Sequence, residues 1–393
     1  MKEVTMSDFI PFSRPSLDNE EKVAVSKIID SNWLTTGKET LLFEEEFAHY
    51  IHNPYCLAVN SATSGLQLAM DACGITHNTA ILTTPYTFAS TALPAIHLGG
   101  TVYYADIEKD SYNIDPEKVE KIVKKHPEIK ALIPVHIAGN LCKMDDLRTI
   151  AKKYNLKIIE DAAHAFPSET TKGFAGTLSD IGVFSFYATK TMTTAEGGMI
   201  TTKDESLQKR MNLMRLHGID RTVWNRYTDS KASWLYDVVA PGWKCNLPDI
   251  LSAIGRVQLA KAKTMCEKRK KIVAQYNKAF SQKDYLICPP DSEGNAWHLY
   301  LLRLDLSKLS VSRDEFAEKL QERGIGISMH FIPHFHLSFF KNTFNLQAKD
   351  FPEAQLKFTQ TITLPLWPDM TDDQVARVIT EICTLGEKFY VKK

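Results

Sequence analysis

The sequence predicts an α/β fold: a mostly parallel sheet flanked by helices, followed by a smaller α+β unit. Three observations carry this. Between about residues 55 and 202, short apolar runs alternate with helix-like stretches, the pattern of strands joined by crossover helices. Most of the runs place Val, Ile and Leu on consecutive positions, as strands covered on both faces do. After a long helical stretch the chain turns to isolated strands and capped helices without that alternation.

The candidate strands are 56–59, 80–83, 101–105, 131–135, 157–160, 181–186 and 199–202, with helix-like segments such as 116–125 and 144–154 between them. A helical stretch from about 249 to 280 joins the two parts, and the boundary is placed inside it. This gives a large unit over 1–255, with an N-terminal arm over 1–20, and a small unit over 256–393. In the small unit 299–304 reads as a strand. Ser312 opens a helix with Glu315 three residues on, a capping box, and Gly324 closes it. Residues 325–329 read as a further strand, and Thr371 with Gln374 starts a final helix to about 388. The charge runs 121–130 and 267–271 lie on helix-like stretches and read as solvated faces.

Composition narrows the function. The 393 residues hold 47 Lys+Arg and 47 Asp+Glu, a formal net charge of zero. A dedicated nucleic-acid binder needs a surplus of cations to neutralise phosphates, so none is expected as a partner. A local basic pocket for one phosphorylated small molecule stays open. The seven cysteines are scattered and odd in number, with no C-x-x-C, which reads as reduced thiols in a cytoplasmic protein. The first eight residues lack a signal-peptide apolar core. No uncharged apolar run reaches the length of a membrane span, and the longest weakly polar stretch, 80–102, carries Pro85, Pro94 and Gly99-Gly100.

Three motifs fall on strand ends, where open α/β sheets place ligands. Asn60-Ser61-Ala62-Thr63-Ser64-Gly65-Leu66 links a strand to a helix. Its small residues let the backbone approach a ligand, and free amides at a helix N-terminus favour a phosphate, although Ser and Thr also serve there as plain caps. In Glu160-Asp161-Ala162-Ala163-His164 two carboxylates close an apolar strand. One of them caps the next helix, or Asp161 meets a buried cation such as a protonated pyridine nitrogen. In Phe184-Ser185-Phe186-Tyr187-Ala188-Thr189-Lys190 a lysine follows an apolar strand and precedes Glu196-Gly197-Gly198. Such a lysine can snorkel to the surface, but beside a phosphate loop and a buried Asp it is better read as a Schiff-base lysine whose apolar site favours the neutral amine. Ser185 is placed to donate to the same phosphate. Loop, Asp and Lys in that order at successive strand ends are the layout of a pyridoxal-phosphate enzyme.

On these residues the chain resembles, over nearly its full length, the DegT/StrS family of sugar aminotransferases, which are fold-type-I pyridoxal 5'-phosphate enzymes with a seven-stranded, mostly parallel sheet. Further points of likeness are Pro11-Phe12-Ser13-Arg14-Pro15, Trp33-Leu34-Thr35-Thr36-Gly37, Pro85-Tyr86-Thr87-Phe88, His298-Leu299-Tyr300, Met329-His330-Phe331 and Leu364-Pro365-Leu366-Trp367-Pro368. The resemblance implies Lys190 as the cofactor's lysine and proton shuttle, Asp161 on the pyridine nitrogen, and Phe88 stacked on the ring. It implies Ala62, Thr63 and Ser185 on the phosphate and His164 near the ring oxygen. Thr36, Tyr187, His330 and, more weakly, His336 are its candidate substrate contacts, and His334 reads as structural. The spacing of His330, His334 and His336 suggests a metal, but no carboxylate or cysteine lies nearby and Pro333 breaks the geometry, so no metal is expected.

One stretch departs from the commonest family pattern, G-Y-N-Y-R-M, whose Asn reaches the phosphate of the partner subunit's cofactor. Here it reads Gly242-Trp243-Lys244-Cys245-Asn246-Leu247, with Lys244 at the usual Asn position and Asn246 at the usual Arg position. This form resembles the branch that aminates C4 of UDP-linked keto-sugars, including 4-keto-arabinose. Either Lys244 or Asn246 would then reach the phosphate, in a homodimer with shared active sites. The implied reaction moves an amino group from glutamate, leaving 2-oxoglutarate, to a nucleotide-linked keto-sugar for surface polysaccharide or glycan. A 3-keto-sugar or cyclitol acceptor, a dehydratase on the same scaffold and a non-catalytic cofactor-binding regulator are the alternatives. Retention of Lys190 favours transamination over dehydration, where the family replaces that lysine by histidine.

Overall fold

The computed structural model describes residues 9–220 and 236–391. Its main sheet has seven strands: β1 (Tyr55–Val59), β2 (Ala80–Thr83), β3 (Thr101–Tyr104), β4 (Ile129–Leu132), β5 (Lys157–Asp161), β6 (Ile181–Ser185) and β7 (Gly198–Thr202). Their order is β1-β7-β6-β5-β4-β2-β3. The pairs from β6 across to β3 are parallel, and β7 alone runs antiparallel to both its neighbours. The connection from β6 to β7 needs no crossover helix for that reason. It is a loop pinned at its ends by the Ser185↔Gly198 pair and by the Phe186 amide on Gly197 O at 2.9 Å. That loop carries Lys190. β2 and β7 are buried at every position, which explains their unbroken apolar and threonine runs.

β4 starts and stops two to three residues earlier than the pattern 131–135 predicts. Pro134 has no amide to donate, so the ladder cannot continue through it. Its carbonyl instead accepts the Asp161 amide at 2.9 Å, and the His136 amide donates to Asp161 O at 3.1 Å. These bonds fix the backbone at the end of β5.

A second sheet, antiparallel and ordered β8-β9-β10, comprises β8 (Leu286–Ile287), β9 (Tyr300–Leu304) and β10 (Thr361–Leu364). Residues 325–329 are not a strand of it. They make only single bridges, Ile325 with Ile10 and Ser328 with Thr363. The N-terminal arm takes that edge: Ile10 N–H donates to Gly324 O (2.8 Å) and its carbonyl accepts from Gly326 N–H (2.7 Å). A Cβ at Gly326 would lie 2.8 Å from both Ile10 O and Phe12 N, so only glycine admits the arm. The final helix, Asp372–Phe389, carries the expected reciprocal cap between Thr371 and Gln374.

The long helix Asp249–Phe280 serves two cores. Leu259, Ala262 and Met265 pack with Phe43 and Phe47, while Ile272, Tyr276 and Phe280 pack with Tyr300 and Phe316 of the C-terminal unit. Its first residue caps another helix. Gly37, the N-cap of helix Lys38–Tyr50, has no side chain to offer. The buried Asp249 carboxylate supplies the cap, accepting from Gly37 N (2.7 Å), Thr40 N (3.0 Å), Thr40 Oγ1 (2.7 Å) and Glu39 N (3.2 Å). We expect Asp249→Ala to lower stability by about 2–4 kcal/mol, since it strips a cap and leaves buried donors unpaired. Urea denaturation checks this; a midpoint equal to wild type would show that the cap is idle.

Candidate functional site

A cavity of about 640 Å³ opens at the C-terminal ends of β5 and β6. Its walls bring together nine residues singled out in the sequence. Ala62 and Thr63 lie at the head of a helix, Phe88 follows β2, Asp161 and His164 follow β5, and Ser185, Tyr187 and Lys190 follow β6. His330 reaches it from the C-terminal unit. A larger groove of about 940 Å³ lies between the helices Asn19–Asp30, Lys38–Tyr50 and Asp249–Phe280, and holds none of the candidates.

Asp161 is 3% exposed. Burial pushes its pKa up, opposed by a hydrogen bond from Thr91, one from the Ala163 amide, and the charge of Lys190. Thr91 Oγ1 donates to Oδ2 at 2.8 Å and Ala163 N to Oδ1 at 3.2 Å. Each oxygen keeps a lone pair for a further donor. Burial lowers the Lys190 amine to about 8, and Asp161 works in the opposite direction. The neighbouring Glu160 points to the other face of the strand and is structural. Its carboxylate accepts from Gly176 N, Leu178 N and Ser179 Oγ, each at 2.8 Å, and from His136 Nε2 at 2.9 Å. The Cys142 amide donates to His136 Nδ1 (3.1 Å), so the ring's proton sits on Nε2.

At another side of the cavity is the start of helix Ala62–Ala72. Ser61 caps it, its Oγ accepting the Ser64 amide at 3.1 Å. The Ala62 and Thr63 amides have no intrahelical acceptor and carry the positive end of the helix dipole. Gly198 keeps the approach open, since a Cβ there would sit 2.9 Å from Ala62 N. These features form an anion cradle.

Phe88 is 62% exposed, with its ring 6.2 Å from that of Phe331. His164 stacks on Phe331 at 5.3 Å and meets His298 edge-on at 4.4 Å. Burial drives His164 well below the usual imidazole range and His330 to about 3, so both rings are neutral. His330 Nδ1 pairs with Thr363 Oγ1 at 3.0 Å, and Tyr86 donates to the His330 carbonyl at 3.0 Å.

Four candidates lie outside the cavity wall. Thr36, Lys244 and Asn246 form a chain of their own: Lys244 Nζ donates to Asn246 Oδ1, Asn246 Nδ2 to Thr36 Oγ1 (2.5 Å), and Thr36 to Leu247 O (2.5 Å). The segment bridges to Val59, just before the Ala62 helix. His336, the weaker candidate for a substrate contact, is exposed, pairs with Gln355 at 2.7 Å and is not among the residues lining the cavity. His334 is fully buried and stacked on Phe340 at 4.0 Å. Among the described residues no group of three His, Cys, Asp or Glu is arranged to hold a metal ion, and no helix is long and apolar enough to cross a membrane. Sequence reading missed Thr91 as a partner of Asp161. The only signal was a pair of hydroxyl residues, Thr87 and Thr91, spaced by four after β2.

Comparison with known proteins matches this architecture. A model of the DegT/DnrJ/EryC1/StrS aminotransferase family matches residues 15–383. The spore coat polysaccharide biosynthesis protein SpsC of Bacillus subtilis is 41% identical over 378 residues, covering 95% of this chain and 96% of SpsC. Spr1654 of Streptococcus pneumoniae in its PMP form superposes with a TM-score of 0.89 at 29% identity, over 96% of this chain and 99% of that one, and its PLP form with 0.88. Helicobacter pylori PseC, an aminotransferase involved in the biosynthesis of pseudoaminic acid, gives 0.89 at 29% identity, over 97% and 100%.

The lowered Lys190 amine has a direct consequence. Only the neutral form is nucleophilic, so in the cofactor-free protein its labelling rate by trinitrobenzenesulfonate should rise about tenfold per pH unit up to about 8 and then level off. Surface lysines should keep rising to about pH 10.4. Peptide mass spectrometry separates the two; a Lys190 profile that follows the surface lysines rejects the assignment.

Proposed function

The chain belongs to the DegT/DnrJ/EryC1/StrS aminotransferase family, and from that premise we propose that it is a pyridoxal-phosphate-dependent transaminase moving the amino group of glutamate to C4 of a nucleotide-linked keto-sugar. The observation that carries this is one cavity holding a buried carboxylate, a buried amine of lowered pKa and an anion cradle. The residues fit the cofactor. Asp161 has lone pairs free for a pyridinium N–H, Gly198 leaves the Ala62 amide open for a phosphate, and Phe88 presents an uncovered aromatic face. When bound, pyridoxal phosphate supplies the electron sink and carries the amino group between the two substrates.

The chain's own residues do the rest. The amides of Ala62 and Thr63, with the Ser185 hydroxyl, bind the phosphate. Asp161 keeps the ring nitrogen protonated and Phe88 covers one ring face. His164, neutral, donates to the ring oxygen. Lys190 Nζ takes the α proton of glutamate and, in the second half, returns a proton to the sugar carbon. His330 and Tyr187, at the cavity mouth, contact the sugar nucleotide. In a homodimer the Lys244–Asn246–Thr36 chain reaches the partner's cofactor phosphate as one unit: Lys244 brings the charge, and Asn246, tied to Thr36, orients it.

Support for a polysaccharide product comes from the relatives: SpsC acts in spore coat polysaccharide biosynthesis and PseC in that of pseudoaminic acid. Support for C4 comes from the Gly242-Trp243-Lys244-Cys245-Asn246 pattern.

Purified protein should be yellow and should bleach with glutamate, and Lys190→Ala should slow that half-reaction by at least about 10³-fold. A colourless wild type with no spectral response to added cofactor sinks the proposal. A panel of UDP-, dTDP- and GDP-linked 4-keto and 3-keto sugars, scored for glutamate-dependent amination, tests the acceptor. Turnover of 3-keto sugars alone moves the reaction from C4 to C3, and bleaching with no turnover on any acceptor points to a regulator.

A further inference from the structure

Thr91 ends the single 3-10 turn Ala89–Thr91 after β2 and is fully buried. Its Oγ1 lies 2.8 Å from Asp161 Oδ2 and 2.8 Å from Thr87 Oγ1, which is itself 2% exposed. An ionised carboxylate only accepts, and a threonine hydroxyl has one proton to give. The Thr91 proton therefore goes to Asp161, and Thr87 must donate to Thr91. The relay has one direction, Thr87 to Thr91 to Asp161, and each hydroxyl polarises the next.

Burying two hydroxyls is costly unless both are used, and valine would fill the same space without that cost. The same turn also places Phe88, since the Thr91 amide donates to Phe88 O at 3.1 Å. One turn thus presents an aromatic face to the cavity and a hydroxyl to the aspartate behind it.

We propose that Thr91, oriented by Thr87, is a positioning residue of the transaminase site: it fixes the plane of the Asp161 carboxylate and holds it ionised, so that the cofactor's ring nitrogen stays protonated. The assignment rests on the pyridoxal-phosphate reading above. Burial pushes Asp161 toward the neutral acid, and the Thr91 hydrogen bond is the largest influence working against that push.

The test uses the full-length protein loaded with pyridoxal phosphate carrying ¹⁵N in the ring, with ¹⁵N NMR as the readout and fluorescence titration of the cofactor-free protein as a second. In wild type the ring nitrogen should resonate as a pyridinium at neutral pH. Thr91→Val should move it toward the neutral-pyridine position and weaken cofactor affinity about tenfold to hundredfold, the scale of one hydrogen bond to a charged group. Thr91→Ser should restore both. Thr87→Val should shift the resonance the same way by less, and it decides the matter should Thr91→Val fail to fold. A loaded wild type whose resonance is unchanged in both valine variants overturns the relay and leaves the cofactor reading intact. A wild type that takes up no pyridoxal phosphate overturns the cofactor reading and the relay with it.

Discussion

A carboxylate and an amine share the wall of one cavity, and burial works against charge on both. Asp161 is pushed up and Lys190 down to about 8, and each is the other's opposing influence. An amine lowered to about 8 lies where either proton state is accessible, which is what acid–base chemistry needs. Holding them requires a rigid surround, because a buried ionisable group that can move will find water or a new partner. The backbone of Asp161 is tied on both sides, through Pro134 O and the His136 amide. The adjacent Glu160 faces the other way, as strand alternation dictates, and four donors quench it. Neighbouring acids on one strand therefore take opposite roles: one is saturated and structural, the other is left with lone pairs to spare.

The sheet order follows the same constraint. With β7 antiparallel between β1 and β6, the lysine loop returns directly instead of crossing a face, and Ser185 and Gly198 become cross-strand partners at its base. Gly198 then lies against the head of the Ala62 helix, where any side chain would cover the amide. The C-terminal unit is fastened to this arrangement at the cavity mouth. Tyr86, after β2, holds the His330 carbonyl, and the N-terminal arm threads the edge beside Gly324 and Gly326.

Much of this was legible because burial writes itself into sequence. The consecutive apolar runs marked all seven strands, and the helix over 249–280 matched Asp249–Phe280. Asp161 and Lys190 stood out as polar residues at the ends of apolar strands. What was not legible depends on who bonds to whom across long separations. Periodicity could not show that Pro134 would stop β4 and lend its carbonyl to β5. It could not show that Ile10 would claim the edge at 325–329, so a strand-like run there became two isolated bridges. Thr91 reads as an ordinary small residue of a turn until Asp161, far along the chain, is brought beside it. The three histidines of H-x-x-x-H-x-H, close in sequence, take different surroundings for a related reason: His330 lines the cavity, His334 is buried on Phe340 and His336 is exposed.

The histidine cluster shows how strain and proton placement combine. Ala138 has φ +61°, a backbone conformation that L-residues other than glycine, Asn and Asp rarely adopt. Its amide donates to His164 Nδ1 at 3.4 Å, and its carbonyl accepts the His298 amide at 3.0 Å. Straightening Ala138 would release both, so the two histidine segments hold the strained residue in place. Because Nδ1 accepts, the single proton of the neutral ring lies on Nε2. A cationic His164 would have to give up the Ala138 bond, pay for a buried charge and repel Lys190, and those influences together hold the ring neutral. The cavity is therefore furnished with one donor that stays neutral through the physiological range, beside an amine whose charge changes within it. The division rests on a backbone amide turned the wrong way for an ordinary residue.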